Sequence, residues 1–274
     1  MSAGDAAPVK RVTVRDFRAR KERREKLVIV TAYDALFGRL VDEAGVDAVL
    51  VGDSLGNVLA GFESTLPVTL EQMIYHASTV RRGVRRAMLI VDMPFLTYQV
   101  DARRAVLNCG RAVQQAGAEA VKLEGAGPTI VRAIRRTVAV GIPVMGHLGF
   151  TPQSVLAIGG NRVQGRDRDD AERIVGEARR LEDAGVFSIV LELLPAELAA
   201  RVTESVAVPT IGIGAGPSCD GQVLVLHDLL GLTDRFQPKF LKRYASLAEE
   251  VRGAVARFRD DVRAGSYPGA EHSF

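Results

Sequence analysis

The 274-residue chain is 47% hydrophobic and 25% charged, with 27 glycines, 11 prolines and two cysteines, a composition that excludes disorder, collagen-like repeats and a disulfide scaffold. Its 36 Lys and Arg are spread along the chain and balanced by 33 Asp and Glu, so the net charge of +3 describes solvated helix faces rather than a nucleic-acid surface. No apolar run reaches the ~18 residues of a membrane span.

Residues 1–10 are small and polar and lack the apolar stretch of an export signal, so they are expected to be a flexible segment. Cys109 and Cys219 are isolated, without CxxC spacing, and fit reduced thiols in a cytoplasmic protein. From there on, short β-branched runs alternate with longer charged stretches. The predicted strands cover 27–34, 48–54, 87–95, 120–125, 142–149, 188–194, 209–216 and 222–228. Between them, segments such as 105–116 and 173–184 carry apolar residues near a 3.6-residue period and predict helices. Gly45, Gly117 and Gly185 each follow an Ala, where a left-handed residue would end the helix.

Eight such units averaging roughly 30 residues predict a single-domain (β/α)8 barrel over 11–264. An open doubly wound sheet is the alternative, but no G-x-G-x-x-G follows the first strand. The polar, Gly-rich stretch 159–170 (GGNRVQGRDRDD) is expected as a loop or lid. The tail 265–274 cannot continue a helix through Pro268 and is expected as an extended arm or a frayed end.

In a barrel the active site lies at the C-terminal ends of the strands. Here the second predicted strand closes with Val-Gly-Asp53-Ser54 and the third with Val-Asp92-Met-Pro. The fourth closes with Lys122-Leu-Glu124-Gly, the fifth with Gly-His147-Leu-Gly and the sixth with Leu-Glu192-Leu-Leu-Pro. Any one of these could cap a helix. Three carboxylates on neighbouring strand ends would, however, converge and repel one another unless a cation sat among them. Oxygen donors without Cys, leaving positions for water and substrate, suit Mg²⁺ better than a closed Ca²⁺ cage. Asp53, Asp92 and Glu124 are therefore candidate metal ligands.

Lys122 and Glu124 are two apart and share a strand face, either as a functional pair or as a satisfied ion pair inside the barrel. Glu192 sits among apolar residues, a setting that suits a general base unless it merely pairs with His147 or Lys122. His147 alone is ambiguous between catalyst and core residue and is a secondary candidate. The run Gly212-Ile-Gly214-Ala-Gly216 either lets backbone approach a ligand such as phosphate or forms tight turns.

Taken together, Val51-Gly-Asp-Ser-Leu-Gly56, Ser64-Thr-Leu-Pro-Val-Thr69, Asp92-Met-Pro-Phe95 and Val121-Lys-Leu-Glu-Gly125 form an ordered set with four later motifs. These are Gly146-His-Leu-Gly-Phe-Thr-Pro-Gln153, Val163-Gln-Gly165, Ile211-Gly-Ile-Gly-Ala-Gly216 and Tyr267-Pro-Gly-Ala-Glu-His-Ser-Phe274. In this order, from about Thr13 to the last residue, they resemble the ketopantoate hydroxymethyltransferase family. The resemblance implies a Mg²⁺-dependent enzyme of pantothenate and coenzyme A biosynthesis. It would move a one-carbon unit from 5,10-methylenetetrahydrofolate to 3-methyl-2-oxobutanoate, giving 2-dehydropantoate and tetrahydrofolate. It further implies that Asp53, Asp92 and Glu124 are metal-linked, that Asp53, Ser54, Asp92 and Lys122 bind the ketoacid, and that Glu192 accepts the proton. A homodecamer is implied as well. After Glu192 the family often has Cys-Val-Pro, whereas this chain has Leu193-Leu-Pro195.

That chemistry agrees with the residues. A metal chelated by a 2-oxo acid acidifies its C3 hydrogen, Glu192 would remove it, and Lys122 would help stabilise the enolate, which attacks the folate methylene. Three alternatives compete with it: a metal-dependent lyase of the phosphoenolpyruvate mutase and isocitrate lyase kind, a metal-free aldolase using Lys122 as a Schiff base, and a non-catalytic ketoacid or folate sensor.

Overall fold

Each β-branched run becomes a parallel strand: β1 (Leu27–Thr31), β2 (Ala48–Val51), β3 (Met88–Asp92), β4 (Ala120–Glu124), β5 (Val144–Gly149), β6 (Ser188–Glu192), β7 (Thr210–Ile213) and β8 (Gly221–Leu224). Every strand pairs with the next and β8 pairs with β1, so the sheet closes into a barrel flanked by helices. The computed structural model describes residues 9–233 and 237–274; apart from Val9 and Lys10, the expected flexible segment 1–10 lies outside the described residues. The described chain groups into two compact units, one ending at Val225 and containing the whole barrel, the other Leu226–Phe274.

The helices begin and end where local chemistry directs. Asp34, Thr69, Asp101 and Asp167 each accept a backbone N–H of the first helical turn, satisfying a donor that the helix itself leaves unpaired. Gly117, which ends helix Ala102–Ala116, has a φ of 68°, in the left-handed region that costs glycine nothing.

Side chains two apart on a strand face the same way, and this rule builds the barrel interior in layers. Leu27 and Ile29, Ala48 and Leu50, Met88 and Ile90, Ala120, Met145, Val190, Ile211 and Val223 form one buried apolar cluster. One step further along, the same inward columns carry Asp92 after Ile90, Lys122 and Glu124 after Ala120, His147 after Met145 and Glu192 after Val190. The apolar layers hold the barrel together; the charged layer above them is the candidate site.

Helix Val14–Arg23 closes the opposite end. Its one buried residue, Phe17, joins the interior cluster and meets the Phe187 ring edge-on, with centroids 5.3 Å apart. Phe17→Ala is expected to remove about 3–5 kcal/mol of stability by leaving a cavity. Urea denaturation measures this, and an unmoved midpoint would count against the plug.

Two expectations need correction. The stretch 159–170 is a loop only as far as Asp167, because Arg168–Asp183 is already helix, with Asp167 as its cap. The tail is neither extended nor frayed. After Gly265 the chain turns back, Tyr267 meets Phe258 at 5.3 Å and His272 at 5.1 Å, and Ala270–His272 forms a 3-10 turn. Among the described residues no helix is long and apolar enough to cross a membrane.

Candidate active site

Strand register sets the spacing of the charged layer. Asp92 on β3 is the register partner of Lys122 on β4, and the Lys122 Nζ stands 2.6 Å from Asp92 Oδ1. Glu124 is the partner of His147 on β5; its Oε1 lies 3.8 Å from Lys122 Nζ and 3.5 Å from His147 Nδ1. The other imidazole nitrogen, Nε2, is 3.3 Å from Glu192 Oε2 on β6. The result is a line of alternating acid and base across four adjacent strands. All but one of its members are buried; the Glu192 side chain keeps 18% exposure and so faces the opening.

Lys122 therefore leans on Asp92 more closely than on the Glu124 of its own strand. Burial works against its charge, but Asp92, Glu124 and Asp53 outweigh burial and hold the ammonium well above the ordinary lysine range. Burial and Lys122 likewise work against charge on His147, yet Glu124 and Glu192 raise it to about 9. Glu124 is pushed up by burial but held below its usual value by His147 and Lys122. The carboxylates on either side thus favour the charged forms of Lys122 and His147.

Asp53 enters from the loop after β2, and its backbone N–H donates to Asp92 Oδ2 at 3.1 Å. Burial, then the charges of Asp92 and Glu124, push its carboxyl up to about 8. That is the signature of a pocket with more negative charge than its one lysine offsets. Ser54, next in sequence, has its Oγ 2.9 Å from the Tyr33 hydroxyl. Asp53, Ser54, Asp92, Lys122, Glu124, His147 and Glu192 all belong to this end of the barrel.

The donor set fits a hard divalent cation. Asp53 and Asp92 offer carboxylate oxygens from adjacent strand ends, and Asp92 Oδ1 and Glu124 Oε1 are buried without a well-aligned hydrogen bond. Among the described residues, no group of three or more His, Cys, Asp or Glu side chains is placed to hold a metal ion. An ion held by these oxygens would need water and substrate to complete its shell, as Mg²⁺ commonly does.

Two residues that sequence patterning does not single out complete the pocket. Gln153, at the end of the GHLGFTPQ motif, donates from Nε2 to Asp53 Oδ2 at 2.9 Å and from its backbone N–H to Glu124 Oε2 at 3.0 Å. Tyr98, in the loop after β3, donates to Gln153 Oε1 at 2.8 Å. Burial and the Glu124 charge push the Tyr98 phenol well above its usual range, so it stays a neutral donor. A polar residue closing a strand-end motif was the available signal for Gln153; Tyr98 offers none.

The glycine run at the end of β7 makes tight turns and close packing. Gly214 and Gly216 have φ of 63° and 77°, and a Cβ on Gly216 would lie 2.5 Å from Ala196 Cβ. Gly149 is the more consequential glycine. At φ +90° it brings the end of β5 against β6, where a Cβ would lie 2.2 Å from the Glu192 carbonyl oxygen. That close approach lets Phe150 N–H donate to the same carbonyl at 2.8 Å. Gly149→Ala is expected to cost about 1–3 kcal/mol from backbone strain alone and to displace Glu192. A lowered melting temperature together with a lowered kcat is the expected result; wild-type values for both would contradict it.

The family model for ketopantoate hydroxymethyltransferase matches residues 11–270. The chain belongs to the ketopantoate hydroxymethyltransferase family. It is 54% identical to the 3-methyl-2-oxobutanoate hydroxymethyltransferase of Moorella thermoacetica, over 96% of this chain and 98% of that protein. It is 53% identical to the Pelobacter propionicus protein of the same name, over 97% and 98%. As a member of the ketopantoate hydroxymethyltransferase family the chain is a transferase enzyme.

Among solved structures the fold is similar to 2,3-dimethylmalate lyase, a PEP mutase/isocitrate lyase superfamily member, with a TM-score of 0.60 and 17% identity over 95% of this chain and 91% of that one. It is also similar to a phosphonopyruvate hydrolase complex with oxalate and Mg²⁺, with a TM-score of 0.61 and 14% identity over 94% and 92%. Likeness at that identity shows a shared barrel and leaves the ketopantoate hydroxymethyltransferase family as the guide to activity.

Proposed function

We propose that the chain transfers a one-carbon unit from 5,10-methylenetetrahydrofolate to 3-methyl-2-oxobutanoate, giving 2-dehydropantoate and tetrahydrofolate, as a step of pantothenate and coenzyme A biosynthesis. The observation that carries this reading is the unbroken line Asp92, Lys122, Glu124, His147, Glu192 in a member of this family. Asp53, Asp92 and Glu124, each directly or through water, would hold Mg²⁺. When bound, the ion supplies Lewis-acid polarisation of the ketone, which acidifies the C3 hydrogen.

The chain's own residues perform the rest. Asp53, Ser54, Asp92 and Lys122 bind and orient the ketoacid. Glu192, at the exposed end of the charged line, takes the C3 proton, and the C–H electron pair moves into the C2–C3 bond. Lys122, held as an ammonium, faces the negative charge that develops on the enolate oxygen. His147 keeps the glutamate carboxylate aimed inward. C3 then bonds to the methylene carbon and water supplies the hydroxyl of the new hydroxymethyl group, while both bonds from that carbon to the folate nitrogens N5 and N10 break; the nitrogens keep the electron pairs and take up the proton from Glu192 and the remaining proton of the water. The loop up to Asp167 would exclude other water; Gln164 N–H ties it to Leu193 carbonyl, beside the base, at 2.9 Å.

The test is an assay of 2-dehydropantoate formation with each component omitted in turn. Product is expected only with ketoacid, methylene-folate and Mg²⁺ together; product without any folate would sink the transferase reading.

The reading includes a homodecamer in the cytoplasm. Self-association, though not the number of copies, is supported by an apolar stripe on helix Leu247–Ala264, where Val251, Val255, Phe258 and Val262 are 52%, 60%, 55% and 48% exposed and suit burial against another copy. Sedimentation velocity measures the assembly, and a monomer at micromolar concentration would contradict it.

A further inference from the structure

We infer that Gln153 is a positioning residue for the cation site: it sets the separation and aim of Asp53 and Glu124, and so governs divalent-cation affinity without itself ligating the ion. The inference rests on the proposed Mg²⁺ site. It begins from an amide whose every hydrogen-bonding position is used. Gln153 Oε1 accepts from Tyr98 Oη and from Gln99 Nε2, both at 2.8 Å. Gln153 Nε2 donates to Asp53 Oδ2 and to the Met93 carbonyl, both at 2.9 Å.

Because two donors fix the amide oxygen, the NH2 group is turned toward Asp53 and the Met93 carbonyl, one N–H to each. One oxygen of Asp53 is thereby held in a neutral hydrogen bond, which turns the carboxylate as a whole. The backbone of Gln153 does the same for the second carboxylate, donating to Glu124 Oε2. Glu124 N–H in turn donates to Tyr98 Oη at 3.0 Å, which closes a ring from β4 through the β3 loop and the β5 loop back to β4. Gln153 is 6% exposed and Tyr98 fully buried, so no water competes for these bonds.

A ring with each member satisfied is stiff, and stiffness here has a use. Asp53 and Glu124 are two buried carboxylates hydrogen-bonded to the same residue, and as anions they repel each other. Without a brace they would relax apart when no cation is bound and would have to be drawn together again on binding. An outer residue that holds ligands in place is worth about tenfold to a hundredfold in metal affinity.

The experiment is calorimetric titration of full-length protein with MgCl2, substrate-free, for wild type, Q153M, Y98F and D53N, with melting curves for each and kcat at low and saturating Mg²⁺. Q153M is expected to bind Mg²⁺ about tenfold to a hundredfold more weakly. Its kcat should recover most of the way at saturating Mg²⁺, which a merely structural loss of folded protein would not allow. Y98F keeps Gln153 but removes the hydroxyl that orients its amide, and should weaken binding in the same direction by less. Should Q153M fail to fold, Y98F carries the test.

Wild-type Mg²⁺ affinity in folded Q153M, or in Y98F where Q153M does not fold, overturns the role of Gln153. If wild type binds Mg²⁺ and D53N does not, that result leaves the metal site standing, so the failure is of the brace alone. Absence of Mg²⁺ binding by the wild type overturns the metal reading and the brace together.

Discussion

Glu192→Gln lowers turnover by about 10²- to 10⁴-fold while leaving ketoacid affinity within a few-fold of wild type. The substitution keeps shape and hydrogen-bonding reach but removes the proton-accepting oxygen. Glu192 is the one member of the charged line with access to the opening, and it stands beyond His147, away from Asp53 and Asp92. Substrate binding through Asp53, Ser54, Asp92 and Lys122 should therefore survive its loss. The comparison also separates an enzyme from a ketoacid sensor, which needs the binding groups but no base. Calorimetric ketoacid titration beside steady-state kinetics reads both quantities; undiminished turnover would remove Glu192 from the mechanism.

Lys122→Met destabilises the fold by about 3–5 kcal/mol and abolishes activity. Lys122 is 5% exposed and is the lysine that offsets Asp92, Glu124 and Asp53. Methionine fills similar space but leaves those carboxylates facing one another in a buried pocket. Urea denaturation should show the loss at neutral pH, with partial recovery as the pH falls and protons take the place of the ammonium. Stability equal to wild type at pH 7 would contradict the charge balance. The same environment disfavours Lys122 as a Schiff-base former, since that chemistry needs a neutral amine and the surrounding carboxylates keep this one protonated. Borohydride with ketoacid should accordingly leave Lys122 unmodified.

All eight strands were legible as apolar runs, but most of their C-terminal ends were not. The run 27–34 extends past Thr31, where β1 stops, because Ala32 and Tyr33 are as buried as the strand itself. The run 188–194 overshoots Glu192 for the same reason at Leu194, and 209–216 overshoots Ile213 at Ala215. Hydrophobicity reports burial, and in a barrel the loops nearest the site are buried without being paired. Helix Val14–Arg23 went unpredicted for the opposite reason: it is Arg-rich, buries the single residue Phe17, and is held otherwise by charge, with Arg20 on Asp47 and Lys21 on Asp220.

The site was legible to the extent that strand ends dictate it. In a barrel the C-terminal ends of the strands line the site, which picked out Asp92, Lys122, Glu124, His147 and Glu192, and alternation put Lys122 and Glu124 on one face. Which of them pair was hidden. Lys122 meets Asp92 because β3 and β4 are in register at that level, and sequence periodicity within one strand carries no information about its neighbour. Gln153 and Tyr98 were hidden more deeply. Neither carries charge, and their roles come from three loops meeting around Asp53 and Glu124.

The most direct test of the charged layer as one enolising site is deuterium exchange at C3 of 3-methyl-2-oxobutanoate, followed by proton NMR in D2O with Mg²⁺ and no folate. Wild type is expected to exchange the C3 proton well above the solution rate, and Glu192→Gln to exchange at the solution rate. Equal exchange by the two proteins, or none by the wild type, would contradict the account.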